Sequence, residues 1–151
     1  MPDTAGQKLR ASRLRTIENT DIFSTIGGGT IGGTASATYV DVTGASKSIT
    51  KVGASADSDL IVMLSVSCFV SVAGTVVRFG VRVNGVDIDM TQMPVNAASA
   101  HTPLPLGAAR ITGLAAGAYT VQVRVLRVSG TGTITVDVND TVTMYLEERA
   151  K

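Results

Sequence analysis

His101 and Cys68 are the only imidazole and the only thiol in this sequence of 151 residues. His101 stands in a segment flanked by Pro94, Pro103 and Pro105, and no second histidine or cysteine lies at ligand spacing. Spacing alone therefore offers neither a zinc site nor a thiol–histidine pair. Cys68 lies in an apolar run and reads as a small buried hydrophobe that cannot form an internal disulfide. Asp57 with Asp59, and Asp87 with Asp89, are i,i+2 carboxylate pairs of a kind that can bind calcium. No glycine-punctuated carboxylate loop surrounds either, so both pairs read as solvated strand and turn carboxylates. Catalysis needs convergent groups with tuned pKa values, and this inventory implies no enzyme, no resident metal and no cofactor.

Gly27, Gly29 and Gly32 satisfy the G-x-G-x-x-G pattern, but no strand clearly precedes them and strand-like sequence, not a helix, follows. The context rejects a nucleotide site. Asn139-Asp140-Thr141 is a glycosylation sequon in a chain with no secretory signal. Sugar binding favours exposed aromatic platforms, and three tyrosines with no tryptophan offer few.

The positioning elements follow from composition. Valine, threonine, glycine and alanine dominate and aromatic residues make up 4% of the chain, which favours sheet over helix. A net charge of +1 supplies no dense basic face, so no nucleic-acid partner is expected. The longest apolar stretch, residues 60–72, is interrupted by serines and too short to span a bilayer, and residues 1–15 contain no apolar signal core. The expectation is a protein made in the cytoplasm, with no membrane partner, that leaves the cell only by lysis.

Residues 1–20 differ in character from the rest. Lys8, Arg10, Arg13 and Arg15 crowd into eight positions, interleaved with Leu9, Leu14 and Ile17. Ala11, Leu14 and Ile17 follow helical spacing, but a helix this short is marginal alone. The pattern predicts an extended or short-helical arm that orders on a partner, its cations pairing with carboxylates and its apolar residues filling a groove. Residues 21–34 carry five glycines in seven positions and read as a linker too free to hold an element.

From residue 35 to 151 the pattern is one of short strands: 37–43, 48–52, 59–72, 76–83, 86–90, 109–112, 118–128, 133–138 and 141–147. Asn84-Gly85 fits the two positive-φ positions of a type I′ turn. Closing the hairpin there places Val83 opposite Val86, Arg82 opposite Asp87, Val81 opposite Ile88 and Phe79 opposite Met90. Residues 59–72 read as a central strand, with Leu60, Val62, Leu64, Val66, Cys68, Val70 and Val72 on one face. Tyr119 to Val125, Ile134 to Val138 and Val142 to Leu146 supply other inward faces by the same alternation. Many antiparallel strands with one apolar face and glycine-rich turns predict an all-β, antiparallel jelly-roll β-sandwich, with residues 93–107 as its one large loop. Ile61, Met63, Phe69 and Tyr145, with Leu126 and Val128, fall on faces turned away from that core. They read as contacts with other copies of the chain.

The opening Ala5-Gly6-Gln7-Lys8-Leu9-Arg10-Ala11-Ser12, followed by Leu14, resembles the start of small structural proteins of tailed bacteriophages, those infecting actinobacteria especially. The segments FGVRVNG, GLAAGAYTVQVRV and SGTGTITVDVND are similar to the compact jelly-roll modules of phage decoration and minor tail proteins, which resemble trimeric tumour necrosis factor-like sandwiches. The resemblance implies a virion-surface structural protein and homotrimer, seated on the phage major capsid protein or on tail proteins through residues 1–20, and it transfers no catalytic residue. The leading expectation is a trimeric capsid decoration, or cement, protein. The alternatives are a minor tail or receptor-binding protein and a soluble carbohydrate-binding module.

Overall fold

The computed structural model of the chain describes residues 20–21 and 31–151. The strands are β1 (Thr20–Asp21), β2 (Ile31–Thr34), β3 (Val40–Lys51), β4 (Ser58–Val70), β5 (Thr75–Val83), β6 (Val86–Val95), β7 (Thr102–Pro103), β8 (Gly107–Ile111), β9 (Gly117–Ser129), β10 (Ile134–Val136) and β11 (Val142–Ala150). No helix occurs among the described residues. All strand pairings are antiparallel, and they form two sheets. The first runs β1-β11-β4-β10-β2, with β7 and β8 also on β4, and the second runs β3-β9-β5-β6.

This strand order makes the chain a jelly roll. The main body of the first sheet, β1-β11-β4-β8, faces β3-β9-β5-β6, and the chain steps from β3 to β4 to β5, then from β6 to β8 to β9 to β11, crossing between sheets at each step. β4 is the central strand, with Leu60 to Leu64 paired to β11 on one edge and β8 on the other. Its alternate residues Leu60, Val62, Leu64, Val66, Cys68 and Val70 are all at most 2% exposed. Val77, Phe79, Val81 and Val83 meet them from the second sheet with Val121, Val123 and Val125, and Ile134, Val136, Val142, Met144 and Leu146 complete the core. At roughly 1.5–3 kcal/mol for each large side chain removed from water, this interior needs no staple.

Several expectations change in detail. Val72 and Val138 leave the core, 44% and 77% exposed, because β4 stops at Val70 and β10 at Val136. The two strands expected at 37–43 and 48–52 are one, β3, interrupted where Asp41 pairs with Arg124 but Ser46 with Gln122. Gly44 turns the chain there at φ +78°, and the Gln122 side-chain amide donates to the carbonyls of Val42 and Ala45. The glycine-rich run is not wholly a linker, since Ile31–Thr34 pairs with β10 and Ile31 is buried. Ladder hydrogen bonds and that one apolar anchor offset the freedom of Gly32 and Gly33. Thr20–Asp21 likewise pairs with β11.

The hairpin closes as its turn chemistry requires, with Asn84 at φ +50° and Gly85 at φ +78°. Its register holds from Val83↔Val86 to Val81↔Ile88, but Gly80 pairs with Asp89 and Phe79 with Thr91. Met90 is therefore a bulge, not the partner of Phe79. Gly107 lies against the displaced residue, so close that an added Cβ would sit 2.7 Å from the Met90 carbonyl oxygen. β6 then continues to Val95, taking over the start of the expected large loop.

Candidate functional site

The two sheets turn different outer faces to solvent. On the first, residues of β4 with odd numbers point away from the core. Met63 pairs with Tyr145 on β11 and Ala108 on β8, while Ile61 pairs with Glu147 and Arg110. Ile61, Met63 and Tyr145 are half-buried and together form an apolar strip across the strands. Burial, with the nearby Glu147 charge, raises the Tyr145 hydroxyl pKa. Phe69, expected in the same contact, stands six residues along β4 from Met63, about 20 Å at the usual rise per residue. Its ring meets His101 edge-on at 5.0 Å, so it is covered partly from within its own chain. Leu126 and Val128 lie on β9 in the other sheet and do not extend the strip. The expected arm contacts Lys8, Leu9, Arg10, Arg13, Leu14, Arg15 and Ile17 lie outside the described residues.

The second sheet carries a ladder of charge on its outer face. Arg82 makes two hydrogen bonds to Asp87, the closer at 2.7 Å, as the hairpin register implies. Arg124, 7% exposed, pairs with Asp41, donates to the Tyr39 carbonyl and holds its Nε 3.3 Å from Asp87. Arg78 pairs with Asp89 at 2.6 Å and with Gln92 at 2.8 Å. The Tyr39 hydroxyl donates to Asp89, and burial with that bond raises its pKa. Tyr39 rests over Gly80, where an added Cβ would lie 2.6 Å from its hydroxyl oxygen. Arg78, Asp89, Met90, Thr91 and Gln92 line a shallow hollow of about 190 Å³.

A third assembly joins segments far apart in sequence. His101, from the loop after β6, places Nδ1 2.9 Å from Asp140 Oδ1, and Asp140 belongs to the turn between β10 and β11. Ser67 of β4 donates its hydroxyl to the same oxygen at 2.8 Å, while the Asp137 amide donates to Asp140 Oδ2 at 3.0 Å. The side chain of Asp140 is fully buried, and that of His101 is 37% exposed. The hydrogen bond to Asp140 raises the His101 pKa above its ordinary value, against a smaller opposing effect of desolvation. Burial, then the Asp140 charge, pushes the adjacent Cys68 thiol up to about 12. The serine hydroxyl thus serves the aspartate and not the imidazole, so the order differs from that of a nucleophile–histidine–acid relay. Local spacing gave no sign of this cluster, because 36 or more positions separate His101 from both carboxylates.

Four further buried polar residues, Lys51, Ser58, Asp59 and Glu148, tie one end of the sandwich together. Lys51 and Glu148 have fully buried side chains 3.8 Å apart, and Ser58 hydrogen-bonds to both. Asp59, expected in solvent, is buried, with the side chains of Arg110 and Lys151 closing over its carboxylate. Burial pushes its carboxyl pKa up, but the Arg110 hydrogen bond and the Lys151 ammonium 3.3 Å away outweigh that and hold it below the ordinary value.

No family model and no curated protein matches the chain. Solved structures with a similar fold include the sugar-binding EclA C-terminal domain, at 13% identity over 82% of this chain and 70% of that one, with a TM-score of 0.40. A carbohydrate-binding module from Cellvibrio mixtus lichenase 5A, in complex with cellotriose, is 14% identical over 85% and 86% of the two chains, with a TM-score of 0.37. The infectious bursal disease virus VP2 subviral particle is 8% identical over 87% of this chain and 33% of that one, with a TM-score of 0.43. The jelly-roll assignment stands on the chain's own strand order, and likeness at this level assigns no function.

Proposed function

We propose that the chain is a structural virion protein: a homotrimeric capsid decoration protein of a tailed bacteriophage, attached to the head through residues 1–20. The observation that carries the assembly reading is the contrast between the outer faces. One is ion-paired from Arg78 across to Asp41, whereas the other sets Met63 between Tyr145 and Ala108, with Ile61 next along β4 before the charged pairs of Arg110 and Glu147 begin. A solvated antiparallel sheet ordinarily makes its outer face polar, so an apolar strip of this kind is suited to burial against other copies. The head location and the anchoring arm rest on the sequence resemblance.

Light scattering tests the assembly. The expected mass is three times that of the 15.5 kDa chain, and Met63→Glu or Tyr145→Arg should each shift it toward the monomer while the melting temperature stays above ambient. A wild-type monomer at micromolar concentration would refute the reading. Imaging of particles carrying the labelled protein separates a head position from a tail position.

Carbohydrate binding is the second reading, favoured by the planar polar groups of Arg78, Asp89 and Gln92 around their hollow. It ranks second because about 190 Å³ falls short of the roughly 300–1,000 Å³ of ordinary small-ligand pockets. Binding on a glycan array that Arg78→Ala abolishes would reverse the order.

A further inference from the structure

We infer that His101, Asp137 and Asp140 form a binding site for a divalent first-row transition-metal ion of the zinc class. One ligand atom from each residue lies within 4.8 Å of the other two. Ligands bonded at about 2.0–2.2 Å around one ion lie roughly 3–4.4 Å apart, so side chains already within 4.8 Å of one another need only a small adjustment to close on a common centre. His101 Nδ1 and Asp140 Oδ1 are hydrogen-bonded at 2.9 Å, and an ion taken up in tetrahedral geometry would replace that bond and part the two atoms to roughly 3.4 Å.

The electrostatics of Asp140 argue for a cation independently of these distances. Its carboxylate is fully buried, and among the described residues its one ion-pair partner is His101. The other buried carboxylates differ. Asp59 has both Arg110 and Lys151, and Glu148 has Lys51. A buried carboxylate is costly unless charge and hydrogen bonds compensate it, and a metal ion held here would supply that charge directly. Both carboxylates are already oriented: Ser67 and the Asp137 amide donate to Asp140, and the Asn139 amide donates to Asp137 at 2.8 Å. Such supporting bonds hold metal ligands in place. One imidazole nitrogen with two carboxylates suits zinc, cobalt or nickel better than the all-oxygen shell of calcium.

Binding would take the imidazole at Nδ1, leave its proton on Nε2 and release one proton from any imidazolium present. Three protein ligands leave positions for water, and the partial exposure of His101 gives the ion a route in. The ion would also clasp the loop between β6 and β8 to the turn between β10 and β11, the two segments that meet Ser67.

The test uses the full, tag-free chain stripped with EDTA at pH 7.5. Equilibrium dialysis against zinc chloride should leave one ion per chain, and thermal melting should show a saturable rise that EDTA reverses. His101→Gln and Asp137→Asn should each weaken zinc binding at least tenfold. Asp137→Asn is chosen over a change at Asp140 because Asp140 also supports Ser67, and far-ultraviolet circular dichroism checks that both variants fold. Absence of bound zinc at tens of micromolar overturns the proposal, as does binding that survives both substitutions. An equal melting rise with calcium overturns the assignment of metal class.

Discussion

Glu148→Leu should unfold the protein more readily than any surface change, and the size of the effect follows from its surroundings. Glu148 Oε1 accepts hydrogen bonds from Ser58 Oγ at 2.5 Å and the Gly53 amide at 2.7 Å, while Oε2 accepts from the Val52 amide at 2.8 Å. Lys51 Nζ lies 3.8 Å from Oε1 and is otherwise held by Ser58 Oγ and the carbonyls of Gly53 and Ala54. Removing the carboxylate leaves a buried ammonium with only neutral acceptors and strands three donors. Breaking one partner of a buried pair costs about 3–5 kcal/mol, a large part of the 5–15 kcal/mol that holds a typical domain together. The orphaned amides add less than their full penalty, because Val52 is 56% exposed and water can reach this turn. For a chain of this length the loss corresponds to a fall in melting temperature on the order of 10 °C. The double variant Lys51→Met with Glu148→Leu removes both charges, and should recover at least ~2 kcal/mol relative to Glu148→Leu alone. Urea titration of the wild type, both single variants and the double variant gives each midpoint and slope. A loss below ~1 kcal/mol for Glu148→Leu at unchanged slope, or a double variant as unstable as the sum of the singles, would refute the reasoning.

The hairpin and the imidazole give two further expectations. Gly85→Val should destabilise the fold by about 1–3 kcal/mol through backbone strain alone, since the residue sits at φ +78° and nothing lies within 4 Å of the added Cβ; an unchanged urea midpoint would show that the turn is not as drawn. In metal-free buffer, His101 should make stability fall with rising pH: its folded pKa is raised above the ordinary 6.5, so its contribution is complete below that value and lost as pH climbs through the raised one. His101→Gln should flatten that part of the pH profile, and a profile identical to wild type would disprove the link.

The fold was legible because its strongest signals are local. Alternation along residues 60–70 placed β4 at the centre of a sheet, and Asn84-Gly85 set the register through Val81 and Ile88. The same alternation failed at Met90, which bulges where Gly107, seventeen positions on, packs against its backbone, a contact no local pattern records. β3 was split in two for a similar reason. The carbonyls released by its irregular stretch are satisfied by Gln122 from the neighbouring strand, and no local pattern records that bond.

The polar clusters were less legible, since each is closed by residues that the topology brings together from a distance. Asp59 looked like one of a solvated pair until Arg110 on β8 and Lys151 after β11 arrived on it from opposite sides of β4. His101 looked isolated for the same reason, because a search for ligands at fixed spacing cannot see a carboxylate 39 positions away across a strand. The composition did carry one usable hint. A strand whose outward positions read Ile61, Met63, Ser65, Ser67 and Phe69 changes from apolar to hydroxyl and back, and a central strand has neighbours on both edges to meet that change. At Met63 the neighbours are Ala108 and Tyr145, which continue the apolar strip; at Ser67 they are Pro103 and Thr141, and the turn that holds Thr141 also carries Asp140. The hydroxyl in the middle of β4 is therefore where the sheet passes from a surface suited to packing to one that fixes a buried charge.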